Sequence, residues 1–484
     1  MLCAVPSAAR VFPPPAAARH GPGQLPACPV QVDRVKNAAR SPSSTAQAEV
    51  ATDHASSDRG NGLASVGEST AAWLSYLHEV CGLLWPAPAM VAIQPSRLGW
   101  PRPLGTTYRA ADLRTHPAGA DFVLVPGLGR PPLLVPAKRR VAAAAVRHYS
   151  GPRSSATRLT ARALSLGLAR GLGGTMLRGK IRVEVPPGAD TIEAYLQDVL
   201  SRDIQLSMYL GPARANRKPV LQLLSPQGQA VGFAKIGVSP LTRGLVAAER
   251  ATLSLLAGAR LAEVTVPPVL HYGEWHGLNV LVLGPLPVWH RHRSASWPRL
   301  AIAMSEVARV AGLQQQPLAD SAYLRHLQGR LVAADSGPER SALVQTIDAL
   351  AGRLGHVNLS FGAWHGDWAP WNMADTDGGL LVWDWERFTT GVPLGFDALH
   401  HWLQTEVGPR HRDPLSSASA CISHAPTLLA PFSVEAAQAR VTSLLYLADL
   451  ATRYLVDRQA KAGARHGAPG TWLIPALTAG TTQL

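Results

Sequence analysis

Lysine is scarce in this sequence of 484 residues. Only 6 of its 46 basic residues are lysines, and the others are arginines. Together with abundant Ala, Gly and Pro, this bias is typical of GC-rich codon usage, so part of the net charge of +14 is compositional. Each remaining lysine is therefore more informative about function than a lysine in an average sequence.

Cysteines and long apolar runs are also few. The four cysteines (Cys3, Cys28, Cys81 and Cys421) have no C-x-x-C or Cys/His spacing, which argues against a zinc site and a disulfide framework. The N-terminus has no apolar run of the kind a signal peptide requires. The most apolar early stretch, residues 73–93, is interrupted by charged residues and prolines. We therefore expect a cytoplasmic protein with no membrane partner.

The net charge is unevenly distributed. Residues 71–200 carry +9 and residues 201–300 carry +7, whereas residues 301–484 carry −3. A basic front half is compatible with nucleic-acid binding, but no recognition motif, zinc spacing or repeated aromatic–basic pattern accompanies it. We therefore predict no nucleic-acid partner. The charge fits a polyanion bound in the middle of the chain as well as it fits DNA.

Composition and periodicity divide the chain into five segments. Residues 1–70 are rich in Ala, Pro, Ser, Gly and Arg and are expected to form a disordered tail. An α/β extension of unknown role follows at 71–200. Residues 201–287 alternate like strands around one helix, residues 288–463 are mostly helical, and residues 464–484 form a C-terminal tail. A small β-rich half before a larger helical half predicts an α+β, two-lobed architecture.

The strongest motif lies between residues 364 and 386. His-Gly-Asp367 is followed by Asn372 and, after a polar turn at 375–379, by Asp384-Trp-Glu. Apolar strand residues precede Asp384, so the segment predicts a hairpin that brings Asp367, Asn372 and Asp384 to one end. Two carboxylates and an amide oxygen suit Mg²⁺. A carboxylate left free beside the metal can orient a hydroxyl or accept its proton.

These motifs, with the Gly-Val-Pro turn before Asp397, resemble the aminoglycoside phosphotransferase and choline kinase family. The resemblance implies a bilobal protein-kinase-like fold, ATP and Mg²⁺ as cofactors, and a small-molecule hydroxyl as acceptor. It makes Asp367 the catalytic base, and it makes Asn372 and Asp384 the metal ligands. It also makes Asp397 a structural brace for the catalytic loop. The spacing from Asp367 to Asn372 is that of the protein-kinase catalytic loop.

The β-rich half contains the other residues that this resemblance requires. Lys235 ends a predicted strand and Glu249 lies on the following helix, so Lys235 would bind the α- and β-phosphates and Glu249 would fix Lys235. Leu283 and Gly284 stand where the strand and hinge around adenine are expected. Gly211 begins the turn between the first two strands of this half and is expected to contact the nucleotide. That turn does not contain G-x-G-x-x-G, so the cover of the phosphates stays open, with Arg214, Arg217 and Lys218 as the candidates to help.

Several further polar and aromatic residues are interpreted as less central to the chemistry. The bulky Trp368 and Trp371 in the catalytic loop are expected to shape the acceptor site. His365 is expected to form structural hydrogen bonds, and Glu386 is expected to be solvated. His400 and His401 are expected to be ordinary helix residues.

The favoured function is an ATP- and Mg²⁺-dependent phosphotransferase, a kinase with an alcohol group as acceptor. The alternative is a non-catalytic nucleotide-binding pseudokinase or scaffold that binds a protein partner through residues 1–200. A G-x-x-x-x-G-K match at residues 174–180 precedes a predicted strand and is followed by Ile181 instead of Ser or Thr. We therefore exclude a Walker loop there.

Overall fold

The computed structural model describes residues 57–94, 119–127, 130–149, 155–171, 179–288 and 295–483. Most of the Walker-like match, residues 174–178, lies outside these ranges, as do residues 1–56 of the predicted tail. Within the described ranges, no helix has both the length and the apolar character needed to cross a bilayer.

The predicted extension contains four helices and four strands within its described residues. They are α1 (Ser57–Leu84), β1 (Met90–Gln94), β2 (Gly119–Gly127), β3 (Arg130–Pro136), α2 (Arg139–Tyr149), α3 (Ser155–Ala169), β4 (Lys180–Glu184) and α4 (Ile192–Leu200). Helix α1 begins at Ser57, before the predicted boundary at residue 71, and the assignment of residues 1–70 to a disordered tail stays a prediction. Its C-terminal half buries Trp73, Leu77 and Leu84 in the core, and an anchored helix propagates by one hydrogen bond per added residue.

The β-rich lobe follows the predicted order closely. It consists of β5 (Gln205–Leu210), β6 (Pro219–Leu224), β7 (Ala230–Gly237), α5 (Pro240–Ala257), β8 (Val264–Thr265), β9 (Val269–Trp275) and β10 (Leu278–Leu283). Helix α5 begins at a capping box in which Ser239 and Thr242 exchange hydrogen bonds, with Pro240 in the first turn. The helix start fixed in this way places Glu249 at the centre of α5, where its side chain is fully buried.

One antiparallel sheet joins the extension to the β-rich lobe. Its nine strands are ordered β1-β4-β2-β3-β5-β6-β7-β10-β9. The junction is the β3–β5 pair, where Leu133 faces Tyr209 and Leu134 faces Met208. A single cluster of buried side chains runs from Trp73 of α1 to Val280 of β10. The predicted boundary between residues 200 and 201 stays a prediction, but the sheet and the core are continuous across it.

The second lobe is mainly helical. It contains α6 (Trp297–Ala308), β11 (Gln314–Pro317), α7 (Ala322–Val332), α8 (Pro338–Leu354), β12 (Asn358–Trp364), β13 (Met373–Thr376), β14 (Gly379–Val382), β15 (Thr389–Pro393), α9 (Phe396–Val407), α10 (Pro414–Leu429), α11 (Ala436–Val456) and α12 (Leu473–Thr482). Strands β13 and β14 form the predicted hairpin. The expected bilobal α+β fold is therefore confirmed.

Candidate active site

The His-Gly-Asp segment forms a tight loop directly after β12. Gly366 has φ +84°, a left-handed conformation that favours glycine. A Cβ at this position would lie 2.2 Å from the carbonyl oxygen of Arg387. The motif therefore needs glycine here for two independent steric reasons.

Asp397 holds this loop, as the resemblance implied. Its carboxylate accepts hydrogen bonds from the backbone N–H groups of His365 (2.7 Å) and Gly366 (3.2 Å). From the other side, Arg453 donates to the carbonyl oxygen of Gly366 at 2.6 Å. The backbone before Asp367 is thus fixed by side chains from α9 and α11.

His365 is structural, in agreement with its interpretation from the sequence. Its Nδ1 accepts from the N–H of Asp367 at 3.1 Å, and its Nε2 lies 3.1 Å from the carbonyl oxygen of Trp383. These partners define a neutral ring with the proton on Nε2. Burial lowers the pKa of His365 to about 4, so the ring stays neutral at physiological pH.

Both carboxylate oxygens of Asp367 have a hydrogen-bond donor. Asn372 Nδ2 lies 2.9 Å from Oδ2, and His400 Nε2 lies 3.0 Å from Oδ1. Burial acts to raise the pKa of Asp367, but the hydrogen bond from His400 and nearby positive charge outweigh it and hold the pKa below its usual value. The side chain of Asp367 is still 27% exposed, so an ionised, oriented carboxylate remains accessible.

The interpretation of His400 as an ordinary helix residue is therefore wrong. Helical periodicity places this residue on the buried face of α9, but periodicity cannot tell that the buried neighbour is a carboxylate. The one available signal was its position three residues after Asp397, which puts both side chains on one face of the helix.

Lys235 forms the expected ion pair with Glu249. Its Nζ lies 2.6 Å from each carboxylate oxygen of Glu249 and 2.7 Å from Oδ1 of Asp384. Burial acts to lower the pKa of Lys235, but the two carboxylates raise it well above its usual value. The N–H of Trp385 also donates to Glu249 at 3.2 Å. One buried lysine therefore links β7, α5 and the segment after β14.

Asp384 and Asn372 fit a hard divalent cation. The N–H of Trp383 donates to the carbonyl oxygen of Asn372 at 3.0 Å, so Asn372 and Asp384 flank the paired end of the β13–β14 hairpin. The amide nitrogen of Asn372 is used by Asp367, which leaves the amide oxygen as a ligand. Burial acts to raise the pKa of Asp384, but Lys235 and Lys218 hold it well below its usual value, so it is ionised.

A carboxylate cluster surrounds this position. Oxygens of Glu249, Asp384 and Glu386 all lie within 4.8 Å of one another. Glu249 uses both oxygens for Lys235, and Glu386 uses its two for Asn216 and Lys218. Asp384 is therefore the member best placed to bind a cation. Its φ of +73° is strained for a residue other than glycine, as is common at functional sites.

Glu386 is not the solvated carboxylate that we expected, because it is buried between the two lobes. It pairs with Lys218 and accepts from Asn216 Nδ2 at 3.2 Å, and both donors belong to the turn between β5 and β6. The N–H of Ala215 also donates to Gln459 Oε1 at 3.2 Å. Contacts to the helical lobe thus hold this turn. At Gly211 a Cβ would meet only ordinary contacts, so sterics do not require glycine there.

Leu283, at the predicted hinge, lies two residues further along β10 than Leu281, the residue that pairs with Lys235. Lys235 faces Leu281 of β10, and Phe233 faces Leu283 at the end of that strand. The N–H of Gly284 donates to the carbonyl oxygen of Pro268 at 2.8 Å. A role for Leu283 and Gly284 in binding adenine stays a prediction, and the Gly284 N–H is already occupied.

The two tryptophans of the catalytic loop differ. Trp368 is fully buried, with its ring 5.9 Å from that of His365, so it packs inside the loop and does not line an acceptor site. Trp371 is 36% exposed. For Trp371, a role in shaping the acceptor site stays a prediction.

Comparisons with known proteins return small-molecule kinases. No protein-family model and no curated protein matches the chain. The solved structure of the choline kinase LicA from Streptococcus pneumoniae is 13% identical, with a TM-score of 0.40 over 60% of this chain and 99% of that one. Amicoumacin kinase hAmiN, in complex with AMP-PNP, Ca²⁺ and Ami, is 14% identical, with a TM-score of 0.35 over 58% and 88%.

A thermostable mutant of aminoglycoside phosphotransferase APH(4)-Ia, in a ternary complex with ADP and hygromycin B, is 13% identical. Its TM-score is 0.40 over 60% of this chain and 98% of that one. These names match the family that the motifs resemble. At such identities and TM-scores, the chemistry rests on the side chains of the site itself.

Proposed function

We propose that this chain is an ATP- and Mg²⁺-dependent phosphotransferase that transfers the γ-phosphoryl group to a hydroxyl of a small molecule. One observation carries the proposal. An ionised, partly exposed Asp367 stands at the same hairpin end as Asn372 and Asp384, and Asp384 contacts Lys235 at 2.7 Å. A base, an oxygen ligand set and a phosphate-binding cation are the parts that phosphoryl transfer needs.

Asp367 orients the acceptor hydroxyl and takes its proton as the oxygen bonds to phosphorus and the bond to the leaving ADP breaks. Lys235 binds phosphate oxygens with its position fixed by Glu249. Asn372 and Asp384 would hold Mg²⁺, which when bound neutralises charge on the phosphates. Since these groups are held before the reaction, catalysis is mainly positioning and electrostatic stabilisation.

The test is an ATP-consumption screen against a metabolite library, with Asp367→Asn as the matched control. The library includes the acceptor classes that the resemblance implies: aminoglycosides, choline-like alcohols, amino-alcohols, sugars and macrolides. We expect turnover with at least one acceptor, and a loss on the order of 10²- to 10⁴-fold in Asp367→Asn. Calorimetry should show unchanged ATP–Mg²⁺ binding in the variant.

Two outcomes would contradict the proposal. An Asp367→Asn variant as active as the wild type would remove Asp367 from its role as base. ATP–Mg²⁺ binding without turnover for any acceptor would instead favour the nucleotide-binding scaffold.

A further inference from the structure

Helix α9 contacts the catalytic loop at two points. Asp397 and His400 are three residues apart and therefore lie on one face of the helix. Asp397 accepts from the N–H groups of His365 and Gly366, and His400 Nε2 lies 3.0 Å from Oδ1 of Asp367. The same helix thus fixes both the backbone of the loop and its carboxylate.

Helix α11 supports the same loop from behind. Tyr446 and Arg453 are seven residues apart, so they also share a helix face. The hydroxyl of Tyr446 lies 3.0 Å from Nδ1 of His400, while Arg453 donates to the carbonyl oxygen of Gly366. Tyr446, His400 and Asp367 therefore form a continuous chain of hydrogen bonds.

The direction of donation in these hydrogen bonds follows from the charge of Asp367, where they end. An ionised Asp367 only accepts, so His400 Nε2 must carry a proton. Burial lowers the pKa of His400, which keeps the ring neutral and leaves Nδ1 as an acceptor for the hydroxyl of Tyr446. Each group thus donates toward the carboxylate.

Neither His400 nor Tyr446 can touch a substrate. His400 is 1% exposed, and Tyr446 is fully buried. Their effect must pass through Asp367, whose Oδ1 accepts from His400 and whose Oδ2 accepts from Asn372. One donor on each oxygen fixes the plane of the carboxylate.

We propose that His400, oriented by Tyr446, is a positioning residue that holds the Asp367 carboxylate in the plane needed to receive the acceptor proton. This inference rests on the proposed function, in which Asp367 is the base. It adds two residues that are outside the catalytic motifs.

The kinetic test compares two substitutions at one position. His400→Leu removes the donor, whereas His400→Gln keeps an N–H near the place of Nε2. We expect His400→Leu to lower kcat on the order of 10- to 100-fold, because the carboxylate of Asp367 loses one of the two donors that orient it. The KM for ATP should change by less than about twofold, because ground-state binding is untouched. His400→Gln should restore most of the lost kcat.

Tyr446→Phe has a close control in Tyr323→Phe. Both tyrosines are buried, and both rings pack edge-on against Phe396 at 5.7 Å. The hydroxyl of Tyr323 donates to the carbonyl oxygen of Leu445 and contacts neither His400 nor Asp367. We expect Tyr446→Phe to lower kcat and Tyr323→Phe to leave it unchanged. Equal kcat losses in His400→Leu and His400→Gln, or in the two tyrosine variants, would overturn the proposal.

A second readout needs no turnover and separates this inference from the proposed function. In protein labelled with ¹⁵N-histidine, the ring signals of His400 are assigned by their loss in His400→Gln. We expect a neutral ring with its proton on Nε2, and signals that move in Asp367→Asn and Tyr446→Phe but not in Tyr323→Phe. If the wild type transfers no phosphate, the proposed function is wrong, but these signals still test whether His400 contacts Asp367. Signals unmoved in Asp367→Asn would overturn the inference.

Discussion

Lys218 and Glu386, 168 residues apart in the sequence, form a buried ion pair that joins the β5–β6 turn to the segment after Asp384. Lys218 also lowers the pKa of Asp384 through its charge. In kinases with a glycine-rich loop, backbone N–H groups cover the phosphates. Here a lysine of the corresponding turn brings positive charge to the same side of the proposed metal site.

The Lys218–Glu386 pair should be strongly coupled in stability. We expect Lys218→Met and Glu386→Gln each to lower the free energy of unfolding by about 3 kcal/mol, because each leaves a buried charge without its partner. The double variant should lose less than the sum of the two. Urea unfolding of all four proteins completes the double-mutant cycle.

An exposed pair provides the control for that cycle. Lys461 lies 2.7 Å from Asp335 and its side chain is 71% exposed, so Lys461→Met and Asp335→Asn should be coupled by less than about 1 kcal/mol. Simple additivity of the Lys218 and Glu386 effects would show that the buried pair does not act as a unit.

Lys235→Met should reduce kcat on the order of 10²- to 10³-fold, because it removes a fixed positive charge from the phosphates. Glu249→Gln should act in the same direction but less strongly, since it only loosens Lys235. Steady-state kinetics with the acceptor found in the screen would measure both. Lys180→Met, which changes an exposed lysine of β4, should match the wild type. Full activity of Lys235→Met would remove this lysine from the site.

The sequence predicted the parts of the site that depend on local spacing. A hairpin with a polar turn brings Asn372 and Asp384 together by strand pairing alone. Periodicity placed Lys235 on a strand and Glu249 on the following helix, but their pairing was expected from the family resemblance. The hairpin needs only periodicity and turn chemistry, so a single sequence carries it.

Contacts between distant segments could not be predicted in the same way. His400 meets Asp367 because α9 packs against the loop, and Glu386 meets Lys218 because the two lobes face each other. Neither partner is marked by spacing. The pairing of β3 with β5 is similar, because both strands alternate normally and nothing local specifies which edges join.

Asp384→Asn should raise the Mg²⁺ concentration needed for half-maximal activity. The substitution keeps the size of the side chain but removes the charge that would hold the cation. A Mg²⁺ titration at saturating ATP measures this shift, and chelation by EDTA should abolish turnover of the wild type. Asp335→Asn, at an exposed carboxylate, should leave the titration unchanged. The same Mg²⁺ requirement in Asp384→Asn and the wild type would exclude Asp384 as a ligand.

His365 should make the stability of the fold depend on pH. Burial lowers its pKa to about 4 in the folded protein, against about 6.5 in an unfolded chain. The unfolded state therefore binds more protons between these values. The stabilisation that comes from holding His365 neutral is fully present above pH 6.5 and is lost as the pH falls toward 4, by about 3 kcal/mol in total.

His365→Gln lacks this titration, so its free energy of unfolding should fall less steeply than that of the wild type over the same pH range. Parallel curves for the two proteins would show that His365 is not held neutral by the fold.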